Sequence, residues 1–169
     1  MFFLPSSDTI ETMPDNEIDI HFMKIALEEA QRAFDKGEVP VGAVLVQDGA
    51  VIAKAHNSRE TSNDPTAHAE TLVIRSGANE YKNWRLTETV LYVTKEPCIM
   101  CAGAMINARL GRLVYGCRDE KGGAVDSLYT LLSDKRLNHQ VEVTPGVLED
   151  ECKEILQRFF QLRRVSAKS

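Results

Sequence analysis

Strand-like and helix-like segments alternate along most of this chain, and this order constrains the fold more than any other feature. Two apolar runs, Val41 to Val46 and Ala50 to Ala55, flank Asp48-Gly49, a dipeptide typical of β-hairpins. Periodicity predicts further strands over 89–94, 113–117 and 140–144, and helices over 19–36, 64–76, 97–108, 127–132 and from 148 onwards. The alternation predicts an α/β domain whose sheet is covered by helices on both faces.

The 169 residues fit a single domain, which we place at 19–169, and the polar residues 1–18 are predicted to form a flexible arm. A net charge of -5 argues against a broadly basic nucleic-acid coat protein but allows a local basic patch. The longest uncharged stretch, 97–108, is too short to cross a membrane, and the N-terminus does not resemble a signal peptide. We therefore expect a cytoplasmic protein.

Cys98 and Cys101 lie in the first turn of a predicted helix and share one face of it. The helix dipole favours their thiolates, and two thiolates form half of a tetrahedral zinc site. Alone, this pair leaves three interpretations open: a redox pair, half of a structural zinc site, or packing. The other two cysteines, Cys117 and Cys152, are expected to pack in the core.

His68 and Glu70 extend the cysteine motif. His68 begins a predicted helix and can supply a third ligand, whereas Glu70 points in a different direction and can stand beside the metal. Three protein ligands leave a position for water, which is typical of catalytic zinc, and a neighbouring carboxylate can move the proton of that water. The pattern predicts hydrolytic attack on an amidine-like carbon with ammonia as the leaving group.

The order His-x-Glu, then Pro-Cys-x-x-Cys, is the established signature of zinc deaminases. The chain resembles the bacterial tRNA-specific adenosine deaminases of the cytidine deaminase superfamily from about residue 21 to 164. The zinc signature is shared by deaminases of many bases, and other segments are specific for the tRNA subfamily. These segments are Glu38–Ala43, Asn57, Asp64–Glu70, Cys101–Met105, Gly116–Asp119, Asn138-His139 and Phe159–Arg164.

The resemblance implies a three-layer α/β/α fold with a five-stranded mixed sheet. It also implies a homodimer in which the partner subunit lines part of each active site. One zinc ion (Zn²⁺) per subunit would be held by His68, Cys98 and Cys101, with Glu70 as proton shuttle. The reaction implied is hydrolytic deamination of the wobble adenosine to inosine in the anticodon stem-loop of an arginine tRNA.

The resemblance further implies that Asn57 and the backbone amide of Ala69 hydrogen-bond the flipped base, and that Asp119 lies near a sugar of the substrate. An amide side chain carries both the donor and the acceptor needed to bind a purine edge. The alternatives are a turn role for Asn57 and a surface ion pair for Asp119 beside Arg118.

The last helix ends in a cluster of aromatic and basic residues. Arg163 and Arg164 are predicted to contact phosphates, and the alternative is a solvated helix face. Phe159 and Phe160 are adjacent, so one should face inward, and the outward ring can stack on a base or pack at a dimer interface. Lys95 departs from the leucine usual in the family, and its charge is expected to pair with Glu96 or another carboxylate, or to reach a phosphate.

Two rival functions remain open from the sequence. The first is deamination of a free base or nucleotide, such as guanine or cytosine, at the same metal site. The second is a non-catalytic, zinc-stabilised binding module, with Cys117 as the candidate fourth ligand and no role for Glu70.

Overall fold

A mixed five-stranded β-sheet runs through the centre of the computed structural model, which describes residues 14–168. Its strands are β1 (Gly42–Gln47), β2 (Ala50–His56), β3 (Thr89–Lys95), β4 (Arg112–Cys117) and β5 (Glu142–Thr144). The helices are α1 (Asp15–Asp35), α2 (Arg59–Ser62), α3 (Ala69–Tyr81), α4 (Ile99–Asn107) and α5 (Glu149–Ser166). The strand order is β2-β1-β3-β4-β5, with β3, β4 and β5 parallel and the other pairs antiparallel. The predicted α/β fold with a five-stranded mixed sheet is confirmed.

The hairpin between β1 and β2 forms where Asp48-Gly49 predicts it. Both residues have positive φ, 48° for Asp48 and 72° for Gly49. Positive φ at both positions is typical of the type I′ turn, a common two-residue hairpin loop whose twist matches that of the flanking strands.

The two faces of the sheet carry separate hydrophobic clusters, which make the fold three-layered. On one face, Phe22 and Met23 of α1 and Cys152 of α5 pack against residues such as Val44 and Tyr92. On the other face, α3 and α4 pack against the intervening strand residues, among them Leu45, Leu91 and Leu113. Full burial of each such side chain contributes roughly 1.5–3 kcal/mol, so the paired clusters hold the helices in place.

Gly42 lets α1 lie unusually close to the sheet. A Cβ atom at this position would lie 2.0 Å from the carbonyl oxygen of Ala26 and 2.4 Å from the amide nitrogen of Ala30. Both atoms belong to the backbone of α1, so no side-chain movement could make room.

The predicted helix over 64–76 differs from the observed α3. Asp64 caps a turn instead, since its carboxylate accepts the Thr66 amide at 2.8 Å, and α3 begins only at Ala69. The helix also continues past Gly77, which does not stop it. A Cβ atom at Gly77 would lie 2.2 Å from a methyl carbon of Leu45, so the glycine serves close packing.

Two other boundaries also differ from prediction. Helix α1 begins at Asp15, so residues 15–18 of the predicted arm belong to it, and residues 1–13 lie outside the described part. The prediction of a helix over 127–132 is wrong, and a single 3₁₀ turn, Leu131–Ser133, forms there.

Within residues 14–168, no helix is both long and apolar enough to cross a bilayer.

Candidate active site and metal centre

Three side chains from two helix starts meet at one point beside the sheet. The Nδ1 atom of His68 lies 3.6 Å from the sulfur of Cys98 and 3.5 Å from that of Cys101. All three ligand atoms lie within 4.8 Å of one another. Among residues 14–168, this is the only such histidine, cysteine or carboxylate group detected as able to hold a metal ion.

The geometry of this group fits a tetrahedral zinc ion. Zinc–sulfur bonds of about 2.3 Å and zinc–nitrogen bonds of about 2.1 Å place tetrahedral S and N ligands about 3.6 Å apart. The distances from the His68 nitrogen to the two sulfurs match this value. Two thiolates with one imidazole are also ligands that zinc prefers.

The local fold explains why the three ligands converge. His68 occupies the N-cap of α3 and Cys98 the N-cap of α4, with Cys101 one turn into α4. Strand β3 delivers the chain to Cys98, and its neighbour in the sheet, β1, packs against α3. The sequence predicted both helix starts near the motifs, and the sheet brings them together.

The two thiols differ in acidity. The pKa of Cys98 is lowered to about 3, first through its hydrogen bond with Cys101 and then through that with His68. The pKa of Cys101 is raised through the same thiol–thiol bond, and burial raises it further. Zinc binds thiolates, so metal binding must displace the proton of the Cys101 thiol.

Glu70 lies beside the metal group without belonging to it. It sits in the first turn of α3, buried, and lines the same cavity as His68 and Cys98. Burial raises the pKa of its carboxyl to about 6. A carboxyl of this acidity can both accept and release a proton near neutral pH.

Cys117 is not a fourth ligand of this group. Its sulfur lies 3.5 Å from the carbonyl oxygen of Thr94, and burial raises the pKa of its thiol to about 11. Cys152 is fully buried against Gly116. Both cysteines pack in the core, as predicted.

Asn57 is joined to the start of α3. Its Oδ1 accepts the backbone N–H of Ala69 at 2.8 Å, and both residues are buried. The Ala69 amide is therefore engaged by Asn57 and does not face the cavity as a free donor. Asn57 itself lines the cavity, and none of the described residues accepts a hydrogen bond from its Nδ2 group.

Asp119 stands at the mouth of the cavity in an ion pair. The ammonium of Lys95 lies 2.7 Å from its carboxylate, and both side chains are partly exposed. Lys95 thus pairs with a carboxylate, as expected, but with Asp119 and not with Glu96. Arg118, the neighbour considered for a surface pair, forms no ion pair with Asp119 among the described residues.

The cavity beside the metal group, of about 210 Å³, adjoins a much larger groove of about 1020 Å³. Lys95, Asp119 and Phe160 line both. The groove carries six cationic side chains against the single carboxylate of Asp119: Lys95, Arg118, Lys121, Lys153, Arg163 and Arg164. An acidic chain thus carries a local basic surface next to its candidate active site.

Of the two adjacent phenylalanines of α5, one ring is buried and the other is exposed, as predicted. Phe160 is 44% exposed and lines the cavity. Phe159 is the inward-facing ring: it is buried against Phe34 at a centroid distance of 5.6 Å, so Phe160 is the ring of the two that is placed to contact a substrate. Arg163 lies over the Phe159 ring and donates to the Gly37 carbonyl while lining the groove.

Two charged residues line the cavity without a role predicted from the sequence. Arg59, at the start of α2, has no motif that could have revealed it. Glu96 is a buried carboxylate directly before the motif proline, and its position next to Pro97 was the available signal.

This fold and this site define a class of enzyme. The sequence matches the family model of the MafB19-like deaminases over residues 17–164, which is most of the chain. The chain belongs to the MafB19-like deaminase family, and the predicted enzyme class, a deaminase, is confirmed.

Two relatives give a narrower assignment. The tRNA-specific adenosine deaminase of Bacillus subtilis (strain 168) is 50% identical over 148 residues, covering 88% of this chain and 92% of that protein. A solved structure from a study of A-to-I editing by tRNA:A34 deaminases at the wobble position is 49% identical. It superposes with a TM-score of 0.78 over 80% of this chain and 99% of that one. The resemblance to tRNA-specific adenosine deaminases is confirmed.

The fold is also shared with deaminases of a free base. A guanine deaminase of Bacillus subtilis is 39% identical, with a TM-score of 0.57. The match covers 63% of this chain and 66% of that one. The sequence identity, the TM-score and the covered share of both chains are all lower than for the tRNA:A34 deaminase structure.

Proposed function

We propose that this protein converts the wobble adenosine of a tRNA anticodon loop to inosine by hydrolytic deamination. The observation that carries the proposal is the buried carboxylate of Glu70 beside the group of His68, Cys98 and Cys101. The tRNA-specific relatives, which are matched over nearly their whole length, support the proposal that the substrate is a tRNA. We further propose an arginine tRNA as the substrate, on the resemblance alone.

His68, Cys98 and Cys101 would hold one zinc ion per subunit, and their spacing and chemistry fit it. When bound, zinc acts as a Lewis acid that makes water a strong nucleophile at neutral pH. The overall reaction replaces the exocyclic amino group of adenine with oxygen from water and releases ammonia.

Glu70 would take the proton from the attacking water on a carboxylate oxygen and transfer it to the base. The carboxyl is buried, so bulk water does not compete for this proton. The same group can serve the departing ammonia, which must leave protonated. This transfer requires a position next to the metal without coordination to it, which the first turn of α3 provides.

Asn57 would bind the extruded base through its Nδ2 group, while its Oδ1 is held by Ala69. In this arrangement Ala69 acts by orienting Asn57, and the contact of its own amide with the base would require exchange of that bond. An anticodon loop already presents splayed bases, which lowers the cost of extruding one.

The basic groove would take the phosphates next to the target nucleotide. Arg163 and Arg164 line it on α5, and Phe160 stands where the groove meets the cavity, exposed enough to stack on a base. Asp119 would lie near the sugar of the target or of its neighbour. These contacts fit a polynucleotide better than a free base, which needs only the smaller cavity.

The test is incubation with an anticodon stem-loop that carries adenosine at the wobble position, followed by analysis for inosine. Inosine is expected in this RNA and not in a stem-loop with guanosine at that position. Glu70→Gln should lower kcat by roughly 10²–10⁴-fold, because the carboxylate no longer moves the proton. Zinc content should stay at one ion per chain.

Each rival function predicts a different result. Ammonia from free guanine or cytosine, with no inosine in the RNA, would keep the chemistry and overturn the substrate. A non-catalytic zinc module predicts no reaction in either arm and no effect of Glu70→Gln on RNA binding.

We also propose a homodimer and a cytoplasmic location, where tRNA is found. Ile99, Leu128 and Tyr129 are each more than half exposed. The backbone segments that carry them are neighbours, because the amides of Leu128 and Tyr129 donate to the Gly123 carbonyl and Gly123 forms a β-bridge with Cys98, next to Ile99. An apolar patch beside the active site is typical of an interface.

Light scattering should report twice the mass of one chain, and Leu128→Lys should shift the mass toward the monomer. Val51→Lys, at an exposed apolar position on β2, is the matched control and should leave the mass unchanged.

A further inference from the structure

Glu96 is a buried carboxylate whose hydrogen bonds all come from one loop. Its exposure is 2%, and among residues 14–168 no cation forms an ion pair with it. Its Oε1 accepts three backbone N–H groups, from Val125, Asp126 and Ser127, at 3.2, 2.8 and 2.9 Å. Its Oε2 accepts the Asp119 amide at 2.9 Å and the Ser127 hydroxyl at 2.5 Å.

The loop that Glu96 holds, residues 118–127, forms one wall of both cavities. Arg118, Asp119, Lys121 and Gly122 line the basic groove, and Asp119 also lines the catalytic cavity. The loop contains no helix or strand. Within it, the Gly123 amide donates to the Asp119 carbonyl at 2.8 Å and the Lys121 amide to the Asp119 carboxylate at 3.1 Å. These bonds do not reach residues 125–127, which depend on Glu96 as an outside partner.

Further backbone contacts join this loop to residues 97–98, where the metal-binding motif begins. The Ala124 amide donates to the Pro97 carbonyl at 2.9 Å, and Cys98 bridges to Gly123. A Cβ atom at Gly123 would lie 2.3 Å from the carboxyl carbon of Glu96, so only glycine permits this approach. The loop is thus seated on the same turn that carries Cys98.

We propose that Glu96 is a positioning residue for the reaction: its carboxylate fixes loop 118–127 and thereby the place of Asp119 between cavity and groove. Asp119 is held twice, through its backbone by Glu96 and through its side chain by Lys95. A glutamine at position 96 has one acceptor oxygen in place of two, so it leaves the donors of either Oε1 or Oε2 without a partner. The effect on substrate rests on the proposed function, whereas the effect on the loop does not.

The first test follows hydrogen exchange of individual amides in zinc-loaded Glu96→Gln. Either the Asp119 amide or the amides of Val125, Asp126 and Ser127 should exchange at least about tenfold faster than in the unchanged chain, since glutamine keeps only one acceptor oxygen and the bonds to the other are lost. Amides of β1 and α1 should keep their rates. Unchanged exchange at all four loop amides would overturn the proposal.

The second test separates KM from kcat on the wobble-adenosine stem-loop. Glu96→Gln should raise KM by about tenfold or more and change kcat by less than about threefold, because Glu70 and the metal ligands stay in place. Zinc content should remain at one ion per chain. Loss of kcat alone, with KM unchanged, would contradict a positioning role.

Asp19→Asn is the matched control. Asp19 is a buried carboxylate that binds Arg112 and the Tyr92 hydroxyl, on the face of the sheet covered by α1. The variant should be less stable, yet keep both the exchange of the loop amides and KM. An equal rise of KM in this variant would show that loss of stability, and not the loop, raises KM.

Ser127→Ala provides a milder change if Glu96→Gln does not fold. It removes only the hydroxyl donor to Oε2, so the same amides should exchange faster by a smaller factor. No inosine from the unchanged chain would contradict the proposed function. Normal loop exchange in both variants would contradict the role of Glu96, so the two failures are distinguishable.

Discussion

At the scale of single residues, two contacts shape the candidate site: the group of His68, Cys98 and Cys101, and the ion pair of Lys95 with Asp119. The motif spacing placed His68, Cys98 and Cys101 in one group, because each lies at a helix start that local sequence determines. The partner of Lys95 was not predictable, since Asp119 is 24 residues away and reaches it only across the paired ends of β3 and β4. Long-range pairs depend on the sheet register, which the sequence leaves open.

Lys95→Met is expected to weaken RNA binding without unfolding the chain. The ion pair with Asp119 is partly exposed, so its loss should cost less than about 1 kcal/mol of stability. The change leaves Asp119 uncompensated beside a groove for phosphates, so KM for the stem-loop should rise about three- to tenfold at low salt. The rise should shrink at high salt, where charges are screened.

Lys24→Met is the control for Lys95→Met, since it removes the same charge from an exposed position on α1. Steady-state kinetics at two salt concentrations should show little change in its KM. An equal effect of the two variants would mean that net charge, and not the position of Lys95, matters.

The stability of the protein should depend on the ionised form of Glu38. Burial works against this charge, but hydrogen bonds from the Thr61 amide at 2.7 Å and hydroxyl at 3.0 Å outweigh it and lower the pKa of Glu38. A lowered pKa contributes stability above the unfolded value of about 4.3, and that contribution is lost as the pH falls through the folded value.

We therefore expect Glu38→Gln to be less stable than the unchanged chain by roughly 1 kcal/mol at pH 7, with the gap closing below about pH 4.3. Urea unfolding of both proteins from pH 7 down to pH 3 measures this gap. Acid weakens the metal ligands of both chains alike, so the difference isolates Glu38. A gap independent of pH would contradict the assignment.

At the scale of helices and strands, apolar periodicity and turn residues predicted nearly every element. The errors concern ends and local breaks. Gly77 signals a helix stop by its residue type, but the contact with Leu45 that keeps it inside α3 is tertiary. Residues 127–132 have helical propensity. The amide and hydroxyl of Ser127 instead donate to the Glu96 carboxylate, and these bonds keep Ser127 in the loop conformation. A sequence pattern reports the local conformational preference of a segment. It does not report contacts with residues far along the chain, such as those of Gly77 with Leu45 and of Ser127 with Glu96.

Gly42→Ala should be strongly destabilising, because it forces α1 away from β1. The added Cβ atom would meet the α1 backbone at 2.0 Å, and backbone cannot move aside as a side chain can. We expect a loss of roughly 3 kcal/mol, at the upper end of the usual range for overpacking. Thermal unfolding of the zinc-loaded protein measures it.

Gly103→Ala in α4 is the matched control, since nothing lies within 4 Å of a Cβ atom placed there. Alanine favours a helix interior by up to about 1 kcal/mol over glycine, so this variant should be as stable or slightly more stable. A large loss in the control, or none in Gly42→Ala, would contradict the packing argument.

At the scale of the whole molecule, the proposed metal joins two helices that pack on one face of the sheet. His68 belongs to the start of α3, and both cysteines belong to the start of α4. Because a metal ion bound only by the folded chain stabilises it by mass action, removing the ion should loosen both helix starts together.

Dialysis against a chelator is expected to abolish deamination and to lower the unfolding temperature by several degrees. Adding one equivalent of zinc should restore both, and calcium should restore neither, because thiolates are poor calcium ligands. Scanning calorimetry with parallel activity assays provides the measurement. An unchanged unfolding temperature after verified metal loss would contradict the joining of the two helices.

The residues that line the cavity come from two kinds of element. His68, Glu70 and Cys98 stand on helix starts packed against the sheet, whereas Asp119 and Phe160 stand on a loop and on the terminal helix. Changes in substrate preference can therefore accumulate in the second group while the first stays intact. A library of variants confined to loop 118–127 and α5 should keep zinc in most members and differ mainly in which nucleotide each accepts.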